Sequence, residues 1–194
     1  MELIFSVLLF SISSNLDNIV IGFAYALKKI KIGIIPNIII AIVTSTGTFL
    51  SMSAGNYLKN FLSDKVANIL GTWSLMLLGI YFVIQSIVKL TNNIDDMIEY
   101  AQKSDLDSSG DINIKEALLV GFGLTFNNIG TGIVASITGV NICLTVIATF
   151  ILSMFAIICG ASVGNHILGK FLGKYAPLIS GILLIILGIV KFFN

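Results

Sequence analysis

Arginine is absent from this chain: all eleven basic residues are lysines, and charged residues of both signs make up only 11% of its 194 positions. Without a guanidinium fork, and with a net charge of +1, it has neither the bidentate phosphate grip nor the basic surface that a nucleic-acid partner requires, so none is expected. Cysteine is nearly absent too. Cys143 and Cys159 fall inside apolar runs, which argues against a disulfide framework or a thiolate metal centre and makes them small core hydrophobes. The single histidine, His166, reads as an interfacial residue near the end of the fifth apolar run. No run offers a His–acid pair, a nucleophile–base pair or a metal triad, and no phosphate-cradling loop occurs, so an enzyme is not expected. What the chain does have is apolar bulk: 56% hydrophobic residues and a mean hydropathy of +1.01, far outside the range of soluble domains.

A bilayer core about 30 Å thick needs about 20 apolar residues per helix. Six stretches meet that need, at roughly 3–27, 34–58, 66–90, 116–138, 140–165 and 176–193. The first is not read as a cleavable signal, despite Ala24-Tyr25-Ala26, because its start carries Glu2 and no lysine and its apolar run is long and interrupted by Asp17. The one long hydrophilic connection, 91–115, holds most of the acidic residues and divides the chain into residues 1–90 and 116–194. Lysines set the expected orientation. Lys28, Lys29, Lys31, Lys89, Lys103, Lys115, Lys170 and Lys174 follow the odd-numbered spans, against Lys59, Lys65 and Lys191 on the other side. That bias places the long loop in the cytoplasm and both termini outside the cell membrane.

The two halves repeat. A shift of 110 places lays Asn15-Leu16-Asp17-Asn18 on Thr125-Phe126-Asn127-Asn128 and Gly22 on Gly132, while a shift of 109 lays Ser53-Ala54-Gly55-Asn56 on Ser162-Val163-Gly164-Asn165. Each half has three spans, so the second enters the membrane upside down. The expected fold class is therefore all-α: six transmembrane helices as two inverted three-helix repeats, with a substrate site near the midplane. Some of the recurrence is helix packing on small residues, as in Thr44, Thr48, Ser51 and Gly55, or Gly160 and Gly164. Packing does not explain a carboxylate in a span.

Asp17 is that carboxylate, since Glu2 and Glu116 lie at helix ends. A charge at that depth costs about 2.5–3.5 kcal/mol on insertion scales, so its default meaning is functional. Ser11, Asn15, Asn18 and Gly22 share one helical stripe, matched in the repeat by Gly121, Thr125, Asn128 and Gly132. Asp17 and Asn127 lie about 100° round from their asparagine neighbours, so they join those stripes through broad polar faces or local unwinding that frees carbonyls near Gly22, Gly130 and Gly132. The candidate transport site is thus Asn15, Asp17, Asn18, Thr125, Asn127 and Asn128. All its donors are oxygens, which suits Mn²⁺, Mg²⁺ or Ca²⁺ rather than Zn²⁺ or Cu⁺. One carboxylate that takes either cation or proton would supply an exchange cycle without a nucleotide.

Residues 105–116 match an EF-hand loop position by position: Asp105, Asp107, Ser109, the turn glycine Gly110, Asp111 through its carbonyl, Ile112, Asn113 through a water, and Glu116 in bidentate fashion. Ca²⁺ is therefore the expected loop cofactor. Ile94, Met97, Ile98 and Ala101 form an apolar stripe suited to a short incoming helix. The plainer alternative is an acidic linker in which Asn113 and Glu116 cap the next helix.

The segment Asn15-Leu16-Asp17-Asn18 through Gly22 resembles the Ser-x-Asp-Ala/Ser-x-x-x-Gly signature of the MntP manganese efflux pumps. Gly164-Asn165-His166, Gly169-Lys170, Lys174, Ala176, Gly181 and Leu187-Gly188-Ile189 resemble that family's fifth and sixth helices. The acidic loop brings the chain nearest to the sporulation membrane protein type within it, YtaF. The resemblance spans nearly the whole chain and implies six helices, divalent-cation efflux and carboxylates in the first and fourth spans. Asn127 stands where the family's fourth span carries its second Asp. The expected function is a secondary transporter exporting Mn²⁺ or a related hard ion such as Ca²⁺, proton-coupled, whose partners are the bilayer and metal ions. The alternative is a calcium-responsive sporulation scaffold or sensor that does not transport.

Overall fold

A computed structural model describes residues 2–88, 93–163 and 167–193, with the backbone alone for 93–98, 163 and 167–174. Among these residues lie seven helices: α1 Glu2–Leu27, α2 Ile34–Lys59, α3 Asp64–Val88, α4 Asn93–Ser104, α5 Ile114–Ile137, α6 Ile142–Val163 and α7 Ile167–Phe192. All except α4 are long and apolar enough to cross a bilayer. The predicted spans agree with them closely, except that α7 starts before its apolar stretch and carries Pro177 within it. Gly164, Asn165 and His166 lie outside the described residues, as does Lys89, and the side chains of Ile94, Met97 and Ile98 are not described. Ala101 is fully buried, as the α4 stripe predicts.

Large apolar side chains such as Phe49, Trp73, Leu77, Phe126 and Phe155 point outward, while many buried positions are small or hydroxylated: Ser11, Thr72, Thr145 and Ser153 are at most 1% exposed. This suits a lipid solvent, where apolar burial gives helices no advantage and close contact of small residues does. Helices pair across the halves, α1 with α6, α2 with α5 and α3 with α7. Exchanging the halves turns the first pair into the second and leaves the third unchanged. Glycines set the approach. A Cβ on Gly22 would strike the Ile157 carbonyl, and one on Gly160 the Ile19 carbonyl, so α1 and α6 meet backbone to backbone.

One expectation fails here. Cys143 and Cys159 are free and exposed rather than in the core. The face of α6 that packs inward carries Thr149, Ser153, Ala156 and Gly160, which leaves the thiols on the outer surface, where an apolar group is equally at home.

At one end of the bundle Lys191 pairs with Glu2 at 2.9 Å, which brings both termini to the same side. At the other end the α1–α2 connection meets the acidic loop. Lys31 N–H donates to the Gly110 carbonyl at 2.9 Å, and Ile112 N–H donates to the Lys31 carbonyl at 3.0 Å.

Candidate transport site and acidic loop

The polar residues of α1 and α5 come together, but in two groups rather than one. Asn15 and Asn18 are buried among protein atoms: Asn15 Nδ2 donates to the Ser11 carbonyl at 2.7 Å, and Asn18 Nδ2 donates to Asn15 Oδ1 at 2.9 Å and to Ser153 Oγ of α6 at 2.8 Å. Across the interface, Asn128 Nδ2 donates to the Ser14 carbonyl at 2.8 Å, and Thr125 Oγ1 donates to the Gly121 carbonyl at 2.8 Å. Asn15, Thr125 and Asn128 line a small cavity together with Thr44, Thr48 and Ser51 of α2.

Asp17 and Asn127 do not line it. Asp17 is partly buried and Asn127 exposed, and the two side chains lie near each other where α1 approaches α5. The helical offset of about 100° accounts for the separation: neighbours in sequence face different sides of their helix. Local unwinding is not the device, because α1 and α5 run unbroken past Gly22, Gly130 and Gly132 and free no carbonyls there. Sequence reasoning missed the contributions of α2 and α6. Thr44, Thr48 and Ser51 read as a packing face, and Thr149 and Ser153 as parts of an apolar run. The repeat held a usable signal, because the shift of 109 lays Thr44 on Ser153.

The acidic loop has the shape of a cation cradle. Carboxylate oxygens of Asp105, Asp107 and Glu116 all lie within 4.8 Å of one another. Ser109 N–H donates to Asp105 Oδ1 at 3.1 Å and to Asp107 Oδ1 at 3.0 Å, and Gly110 N–H to Asp105 Oδ2 at 3.1 Å. Those bonds turn the chain around the carboxylates, which Ser108 and Gly110 permit with φ of 53° and 79°. The Asp107 carboxyl is held below the usual range, first by the Ser109 side chain and then by the Ser109 N–H. Glu116 is buried, with Oε1 accepting from Leu106 N–H at 2.8 Å and Oε2 from Asn113 N–H at 2.8 Å. This all-oxygen set fits Ca²⁺ or another hard ion. Asn113 is otherwise engaged: its Oδ1 caps α5 at Lys115 and Glu116 N–H while its Nδ2 reaches Asp107 Oδ2, so cap and cradle share one residue. Ser109 Oγ donates to the Asp111 carbonyl at 2.9 Å, which pairs two of the expected ligands with each other.

The family model described as "Mntp: Putative manganese efflux pump" matches residues 2–83 and 92–192. A curated relative, "Probable sporulation protein YtaF" of Bacillus subtilis (strain 168), is 30% identical over 207 residues, covering 96% of this chain and 98% of that protein. No solved structure matches. With six membrane-length helices, a carboxylate well inside the first of them, and a family match over nearly its full length, the chain belongs to the MntP manganese efflux pump family.

Proposed function

We propose that this protein is a secondary transporter that exports Mn²⁺ or a related hard divalent cation in exchange for protons, with Asp17 as the group that binds each in turn. The carrying observation is Asp17 itself, the one carboxylate well inside a span, placed near Asn127 of the opposite half. Moving two positive charges out against an inside-negative potential costs about 4.6 kcal/mol per 100 mV, so export requires a coupled ion. Proton binding at Asp17 neutralises the vacated site and supplies that coupling. The exchange symmetry of the helix pairs supports an inverted repeat, in which the pair sits where one half rocks against the other. With Asn127 neutral, cation and proton compete for a single charge, which favours weaker binding and fewer coupled protons.

The cytoplasmic loop is, in this reading, a Ca²⁺ site held by Asp105, Asp107, Ser109, the Asp111 carbonyl and both oxygens of Glu116, with Asn113 reached through a water. A bound ion would neutralise the clustered carboxylates there. Mn²⁺ suits the same oxygens, so the loop also serves to gather cargo at the cytoplasmic mouth.

A second reading is a calcium-responsive membrane scaffold or sensor without transport. It draws on the relative's description as a sporulation protein and on the neutral Asn127. Metal-by-metal flux into proteoliposomes, with and without a pH gradient, separates the two. Metal movement that responds to the gradient supports the exporter, and none for any divalent ion leaves the scaffold.

A further inference from the structure

The cavity beside Asn15 is made of acceptors. Its hydroxyls spend their protons on carbonyls of their own helices: Thr48 Oγ1 on Thr44 at 2.9 Å, Ser51 Oγ on Thr48 at 3.0 Å, Thr44 Oγ1 on Ile40 at 3.0 Å, and Thr125 Oγ1 on Gly121 at 2.8 Å. The amide N–H groups of Asn15 and Asn128 are likewise directed to carbonyls, of Ser11 and Ser14. What these groups leave free is mainly oxygen lone pairs. A second feature stands apart from these. Thr149 of α6 lines the same cavity, is 2% exposed, and its Oγ1 has no partner. A buried hydroxyl left unbonded is unfavourable, and a ligand in this space would supply its missing partner.

The space is small, about 10 Å³ for the centre of a water-sized body, so a hydrated ion does not fit. A water fits but donates only two hydrogen bonds, fewer than the acceptors that converge. No lining residue is a carboxylate. The desolvation penalty rises with the square of the charge, so a divalent ion is poorly matched to this neutral cage, whereas a single positive charge is well matched.

We propose that the cavity between α1, α2, α5 and α6 is a binding site for one dehydrated monovalent cation, sodium, set apart from Asp17. Four helices from both halves supply its oxygens, so occupancy ties the halves together at a point next to the Asn15–Asn18 pair. If the chain is an exporter, as proposed above, sodium is then a second ion available for coupling, but the binding itself does not depend on that reading.

Radioactive sodium binding to purified protein in divalent-free detergent solution tests it. One saturable site is expected, poorly competed by potassium and weakened about tenfold or more in Thr125→Val and Thr149→Val. The second variant removes a hydroxyl that makes no bond, so it leaves the fold intact and isolates the site. Absence of saturable sodium binding, potassium competing equally, or full binding in both variants overturns the proposal. Divalent flux on the same preparation is read separately: flux without sodium binding defeats this site alone, and sodium binding without flux defeats the exporter alone.

Discussion

Asp17 carries the exporter reading, and its neutralisation is the direct test. Asp17→Asn keeps the side-chain shape and lowers the cost of insertion, so the protein should still fold and enter the membrane while divalent flux in proteoliposomes falls to background. Undiminished flux would place the ion path elsewhere. Asn127→Asp restores the second family carboxylate beside the first, and the expected change is in ion preference and proton dependence rather than in stability. Gly22 tests packing instead. Its absent Cβ is where the Ile157 carbonyl lies, so Gly22→Ala should cost about 1–3 kcal/mol in a detergent-denaturant unfolding assay. At this scale legibility followed rarity. A carboxylate in an apolar run is conspicuous because it is expensive, and Asp17 was therefore readable from the sequence. Thr149 was not, because a threonine among Leu, Ile and Val has the same appearance whether its hydroxyl faces a helix backbone or a cavity.

At the scale of elements, the acidic loop and α4 form a unit clasped to α1, the α1–α2 connection and α5. Tyr25 of α1 hydrogen-bonds Ser104 at 2.6 Å, Tyr100 packs where a side chain on Gly123 would stand, and the Lys31 connection pairs with the backbone around Asp111. The sequence set Asp105, Asp107 and Glu116 at the offsets of an EF-hand loop, and the fold brings their carboxylate oxygens within 4.8 Å of one another. The sequence could not show that the α1–α2 connection supplies the lateral pairing that a single loop lacks, since that contact joins segments far apart in the chain. Calorimetry with Ca²⁺ distinguishes cradle from cap. Glu116→Gln retains an acceptor for the capping box but removes the charge, so helix content should persist while the heat of ion binding is lost. Equal heats would reduce the segment to a helix cap. The pH dependence has a definite sign. Asp107 is held below its ordinary range in the folded loop, so its contribution is complete above the unfolded value and disappears as pH falls through the lowered one. The protection factor of the Ser109 amide, corrected for the intrinsic pH dependence of exchange, should accordingly hold at neutral pH and fall only in acid.

For the whole molecule the open quantity is its orientation, and two independent features bear on it. The Glu2–Lys191 pair and the even number of spans put both termini on one face, and the acidic loop with Lys28, Lys29 and Lys31 lies at the other. Lysines near the ends of spans stay on the cytoplasmic side during insertion, and the lysine-rich end is the one that bears the acidic loop. Nearby carboxylates do not cancel that bias, because acidic residues contribute little to it. A reporter that functions only in the cytoplasm should therefore be silent when fused at Asn194 and active when inserted after Ser104. The opposite pattern would turn the molecule over. It would then place the proposed Ca²⁺ cradle outside the cell, where it would no longer face the pool of metal to be exported, and the loop's role as a gathering site for cargo would fall with it.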